Sequence, residues 1–194
     1  MPSSKPASPV RVWDRFVRFF HWTLVACVLV NFFVTHDGKA LHQWLGYTAL
    51  ALVAARIVWG FIGTRHARFA DFFPTPRRVH AHMRALFSGR GDFHAGHNPL
   101  AGIMVIALLA LVLSLGVTGY LQTTDRFFGE EWLQDTHEAM ANALIGLAAL
   151  HVAAAILMSR LERINLVAAM VTGVKQRREA APASVSPQPN SGWL

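Results

Sequence analysis

The sequence predicts an all-α integral membrane protein, a bundle of four transmembrane helices with room for cofactors between them. Three observations carry this reading. Hydrophobic residues make up 53% of the 194 positions and charged residues only 15%, well short of the roughly 25% charge that clothes a soluble domain. The apolar residues gather into four segments, each close to the ~20 residues needed to cross the ~30 Å hydrocarbon core. The basic residues fall between those segments, as membrane-flanking charge does.

The segments run from about Phe16 to Val34, Leu41 to Ile62, Leu100 to Leu121 and His137 to Met158. Helix is the form expected of each, because backbone groups in lipid must bond within their own segment. No alternating pattern suggests a barrel. The third segment follows the loop signal Gly96-His97-Asn98-Pro99. Residues 1–10 and 179–194 are rich in Pro and Ser and are expected to be disordered. Residues 11–178 then form one domain. The N-terminal run offers no convincing cleavage site and reads as an uncleaved first span.

Orientation follows from Lys and Arg. Residues 1–18, the connection from Gly63 to His97 and the tail after the fourth segment together hold 15 of them, whereas the other two connections hold only Lys39 and Arg126. The positive-inside rule puts the first set, and with it both termini, in the cytoplasm. The outward connections carry Asp37, Asp125, Glu130, Glu131, Asp135 and Glu138, a net charge of −4 against those two cations. The formal charge of +7 does not point to nucleic acid, since no basic helix, zinc motif or RNA-binding aromatic pattern accompanies it.

The single cysteine, Cys27, sits in an apolar run and reads as a small buried residue. One cysteine excludes an internal disulfide, cysteine-ligated iron–sulfur clusters and covalent c-type haem. The five tryptophans near span ends, Trp13, Trp22, Trp44, Trp59 and Trp132, fit an interfacial belt.

The chemistry lies with the histidines. Six of the ten, His36, His66, His80, His82, His94 and His97, fall in connections, where solvation is the ordinary state. The other four, His21, His42, His137 and His151, lie at or in the spans. Polar ionisable groups there are costly and tend to be functional. His137 and His151 are 14 residues apart, which leaves them about 40° apart around one helix and about 21 Å apart along it. His42 opens the second span at the depth of His137. His21 lies one turn into the first span, on the side of His151. The match in the second pair is imperfect, because His21 follows Arg18 by three residues while His151 precedes Arg160 by nine; tilt or snorkelling must absorb the difference.

Two histidines facing each other across neighbouring helices supply the two axial nitrogens of a six-coordinate haem. The four metal ligands expected are thus His42 with His137 and His21 with His151, holding two b-type haems. Gly46, Gly116, Gly119, Ala148, Ala154 and Ala155 are small enough to make room. Propionates need cationic partners. Arg56, the one cation deep in a span, is assigned to the inner haem, with Arg15 and Arg18 as further candidates. A haem-free carrier of Zn or Cu is the competing class, although no span carboxylate or thiol completes a four-ligand site.

These residues, in order, resemble a known family. Val12-Trp13-Asp14-Arg15 with Arg18 and His21-Trp22, then His42 to Gly46, then Arg56-Ile57-Val58-Trp59-Gly60-Phe61-Ile62-Gly63 are followed by Gly96-His97-Asn98-Pro99-Leu100, Thr118-Gly119, His137-Glu138 and His151. Over about residues 10–178 the chain is similar to the bacterial cytochrome b561 family, which is related to the cytochrome b subunits of nickel hydrogenases. The resemblance implies four core helices, two haems b, and the same four histidines as axial ligands. It implies electron exchange with membrane quinones and with redox partners, and it allows superoxide:quinone oxidoreductase activity. Some hydrogenase-type relatives have a fifth helix, where this chain has four segments.

Three functions follow as expectations. The first is a transmembrane electron conduit between the quinone pool and an outer-side redox protein or small molecule. The acidic outer face favours a basic partner such as a cationic cytochrome c over an anion. The second is a cytochrome b anchor subunit of a dehydrogenase or hydrogenase. The third is the haem-free metal carrier. For the quinone, His97, Asn98 and Arg56 are candidates by polarity near the membrane boundary.

Overall fold

The structure, a computed structural model, describes residues 10–35, 39–88, 98–161 and 164–175. Four helices are long and apolar enough to cross a membrane: α1 (Arg15–Phe33), α2 (Ala40–Ile62), α5 (Pro99–Leu121) and α6 (Glu131–Leu161). Between α2 and α5 lie a short 3-10 turn (Arg65–Ala67), α3 (Phe69–Phe72) and α4 (Pro76–Phe87). After α6 comes α7 (Leu166–Thr172), and the two-residue strands β1 (Val10–Arg11) and β2 (Val174–Lys175) pair antiparallel. The expected disordered ends, apart from Val10, and also His36, Asp37, His94 and His97, lie outside the described residues.

Three of the spans fall within a residue or so of their apolar segments. α6 does not. It begins six residues before His137 and ends three after Met158. Its 31 residues measure about 46 Å, longer than the ~30 Å core. Hydropathy marks where lipid ends, not where a helix ends, and no breaker precedes Glu131 until Gly129, which has φ 82°. Despite the unequal distances of His21 and His151 from the flanking arginines, the structure brings the two rings face to face.

Local chemistry sets the other boundaries. Asp14 caps α1 by accepting from Val17 N–H at 2.8 Å, and Asn98 caps α5 by accepting from Ala101 N–H at 2.8 Å, with Pro99 in the first turn. The close helix pairings are α1 with α2, α2 with α5, and α5 with α6. Phe20, Cys27, Ala49, Val53, Leu109, Val112 and Leu144 form their shared core, so Cys27 is the small buried residue expected. Gly116 meets Leu50, and a methyl group added there would stand 2.8 Å from its Cδ1. That glycine serves the α2–α5 contact.

One end of the bundle is closed by a polar latch. Asp14 Oδ2 accepts from Trp59 Nε1 at 3.0 Å and from Thr64 Oγ1 at 2.7 Å, tying the start of α1 to the end of α2. Trp59 therefore serves the latch, and Trp13, 8% exposed, packs against Val12, Val17, Ala67 and Ala169. Neither belongs to a lipid-facing belt, whereas Trp22, Trp44 and Trp132 are exposed as a belt requires. The Gly173 carbonyl accepts from Val12 and Trp13 N–H at 2.8 and 3.1 Å, and Arg18 Nη1 donates to the Val171 carbonyl at 2.7 Å. The two ends of the described chain thus meet on one side. Burial pulls the Asp14 carboxyl up, but its hydrogen bonds to Val17, Thr64 and Trp59 outweigh burial and hold it below the ordinary carboxylate range.

A carboxylate held low stabilises the fold at pH above its ordinary pKa, and that contribution is lost as pH falls through its folded-state value. Asp14→Ala is expected to destabilise the detergent-solubilised protein by about 1–2 kcal/mol near neutral pH. Thermal melts of the two proteins should converge as pH falls through the carboxylate range.

Candidate functional site

The four span histidines come together as two pairs. The rings of His42 on α2 and His137 on α6 have centroids 6.2 Å apart with planes at 61°. Those of His21 on α1 and His151 on α6 are 6.4 Å apart with planes at 56°. All four are partly buried. Helix α6 supplies one ring to each pair, and its approaches to α1 and α2 are not among the close helix pairings. The facing rings therefore stand across a gap that α6 leaves by packing along α5.

The spacing fits one metal between each pair. A metal–imidazole bond of about 2 Å plus roughly 1 Å from nitrogen to ring centre puts two opposed ligands' centroids about 6 Å apart. Among the described residues no group of three or more His, Cys, Asp or Glu is placed to hold a metal ion. Two imidazoles per site fit the axial demand of haem and fall short of a four-ligand zinc site.

The His42–His137 pair has further support. Thr35 Oγ1 lies 3.1 Å from His42 Nδ1, and Thr118 Oγ1 lies 2.9 Å from His137 Nδ1. Asn31 Nδ2 donates to the His42 carbonyl at 3.2 Å. A methyl group added at Gly119 would stand 3.3 Å from His137 Cε1, so the bare glycine seats that ring. Around Gly46 only Asn31 Nδ2 comes within 4 Å of an added methyl, at 3.9 Å, and around Gly146 nothing does. Ala148 and Ala155 are half-buried and Ala154 is exposed. Sequence reading passed over Thr35 and Asn31. The signal was a polar pair i, i+4 at the end of an apolar helix.

Of the three arginines, Arg56 is 3% exposed. It does not snorkel to water. Nη2 donates to the Ala67 carbonyl at 2.9 Å, and the guanidinium carbon lies 5.4 Å from the centre of the Phe69 ring. Phe69 in turn lies against Gly60, where a side chain would collide with it. Arg56 Nη1 and Arg18 Nε are buried without a hydrogen-bond partner in the structure. An unmet buried donor costs on the order of 1–3 kcal/mol, so both atoms suit an anionic group such as a propionate. Arg15 is exposed. Asn98, a quinone candidate by polarity, uses its side-chain oxygen to cap α5; His97 lies outside the described residues.

The connection histidines divide. His80 is exposed, and His66 Nδ1 lies 3.1 Å from Asp71 Oδ2. His82 is 2% exposed, contrary to the solvated state expected, because α4 packs on α5 and turns this face inward.

Comparison with known proteins gives the family. The family model described as Prokaryotic cytochrome b561 matches residues 12–173. The chain is 24% identical to a protein of Rhodobacter capsulatus named "Probable Ni/Fe-hydrogenase B-type cytochrome subunit", over 89% of this chain and 84% of that one. Proteins of the same name from Bradyrhizobium diazoefficiens and Azotobacter vinelandii are also 24% identical, over 88% and 89% of this chain and 87% and 91% of theirs. No solved structure matches. With four membrane-spanning helices and a match that covers most of its length, the chain belongs to the prokaryotic cytochrome b561 family, membrane b-type cytochromes that carry electrons on haem b.

Proposed function

We propose that this cytochrome holds two haems b, one between His42 and His137 and one between His21 and His151, and carries electrons across the bacterial cytoplasmic membrane. The observation that carries the reading is the pair of ring separations, 6.2 and 6.4 Å, on one long helix. The haems supply one-electron redox chemistry. The protein's part is to orient the imidazoles, exclude water and neutralise the propionates. Arg56, with its buried Nη1, and Arg18, with its buried Nε, are the partners proposed for the inner propionates; exposed Arg15 is a third, at the rim.

The electrons run between the quinone pool and an outer-side partner, with both chain termini in the cytoplasm. This orientation rests on the Lys and Arg bias, and the pairing of β1 with β2 supports putting both ends on one side. The outer surface around α6 exposes Asp125, Glu130, Glu131, Asp135 and Glu138, which favours a basic redox protein. Superoxide as the outer electron donor, giving a superoxide:quinone oxidoreductase, is a variant of the same reading. The names of the relatives favour a second one, in which the chain is the haem-bearing anchor of a hydrogenase or dehydrogenase.

A pyridine haemochromogen assay on purified protein is expected to give two haems b per chain. His151→Ala and His42→Ala should each fall to one, while both keep reduced-minus-oxidised b-type spectra. A wild type with no haem after expression with haem supplied would overturn the proposal. Reduction of both haems by an added quinol would support the quinone assignment, and no reduction would count against it. Gly119→Val, which crowds His137, should lower haem content toward one per chain, whereas Gly116→Ala should leave content unchanged and lower thermal stability.

A further inference from the structure

The outer and inner histidine pairs differ in what holds the second ring nitrogen. A hydroxyl has one proton to donate. Thr35 Oγ1 lies 2.8 Å from the Asn31 carbonyl and 3.2 Å from Asn31 Oδ1, and both only accept, so the Thr35 proton is assigned to Asn31. Thr118 Oγ1 lies 2.9 Å from the Ser114 carbonyl and 3.2 Å from that of Leu115, and its proton is committed likewise. Toward His42 and His137 each hydroxyl is left to accept. With each hydroxyl accepting, we assign the imidazole proton to Nδ1 and the lone pair to Nε2 in both rings. The two threonines come from different places, the chain just after α1 and the last turn of α5, yet do the same thing to the two members of one pair. Among the described residues no hydrogen bond reaches the rings of His21 or His151, which make ring contacts only.

We propose that Thr35 and Thr118 are positioning residues that fix the ligand tautomer of the outer site and set its potential below that of the inner one. The proposal rests on the two-haem reading above. An Nδ1–H that is hydrogen-bonded makes the imidazole a stronger donor to its metal. Stronger donation favours the oxidised, more positive iron and lowers the reduction potential. Local charge pushes the same way. Asp135 and Glu138 flank His137 at the outer end, while Arg18 and Arg56 belong to the latched end. The threonine pair is the part that substitution isolates, because valine keeps the shape of threonine and removes the acceptor.

The test is a potentiometric titration of the full-length, haem-loaded protein, with haem content measured on each sample. The wild type should resolve two components. Thr35→Val and Thr118→Val should each raise the lower one and leave the upper one in place, and the double variant should raise it further. Thr35→Ser and Thr118→Ser should restore the wild-type value, which a purely structural role of the methyl group would not do. Should a valine variant lose a haem, the cysteine variants, with a far weaker acceptor, must show the same upward shift. Two haems per chain with both components unmoved, or a shift confined to the upper one, would overturn the threonine assignment. Fewer than two haems in the wild type would instead overturn the two-haem reading itself.

Discussion

Two pairs of imidazoles face each other at about 6 Å, the spacing that the proposed opposed ligands of one metal need, and helices in ordinary close contact would not leave room for it. Lipid gives no hydrophobic force that pulls spans together. The close contacts run instead in a chain, α1 to α2 to α5 to α6, with Gly116 letting α2 approach α5. That arrangement leaves α6 to face α1 and α2 through the two ring pairs. A helix carrying two histidines on one face is the economical way to serve two sites at two depths.

A gap of that kind needs closure elsewhere, and the latch around Asp14 supplies it on one side. One carboxylate caps α1 and accepts from Trp59 and Thr64. The connection it secures then covers Arg56 through the Ala67 carbonyl and the Phe69 ring. A guanidinium at that depth would otherwise draw in water. Covered but with one nitrogen unmet, it keeps its charge available to an anion inside the protein. At the end that carries His42 and His137, short hydroxyl contacts to the two rings hold them instead.

Much of this was legible in the sequence. Hydropathy found the spans because the membrane requirement is one-dimensional, and the 14-residue interval put His137 and His151 on one face. Depth alone matched them with His42 and His21. The rest depends on contacts that no local pattern encodes. Helix α6 outruns its apolar segment because Glu131 to Thr136 are helical although they continue no apolar run. Trp59 passed for a belt residue until its partner, 45 positions away, was seen. His82 looked solvated because the packing of α4 on α5 leaves no local trace. Thr35, three-dimensionally adjacent to His42, is separated from it by a connection whose course the sequence does not reveal.

The central claim is that two separate sites each fill both axial positions with histidine. Electron paramagnetic resonance of the oxidised protein tests it most directly. The account predicts two low-spin ferric signals and no high-spin one in the wild type. In His137→Ala, one signal should be lost or turn high-spin while the other persists unchanged. A high-spin signal in the wild type, or loss of both low-spin signals on removing His137 alone from a protein that still folds, would contradict it.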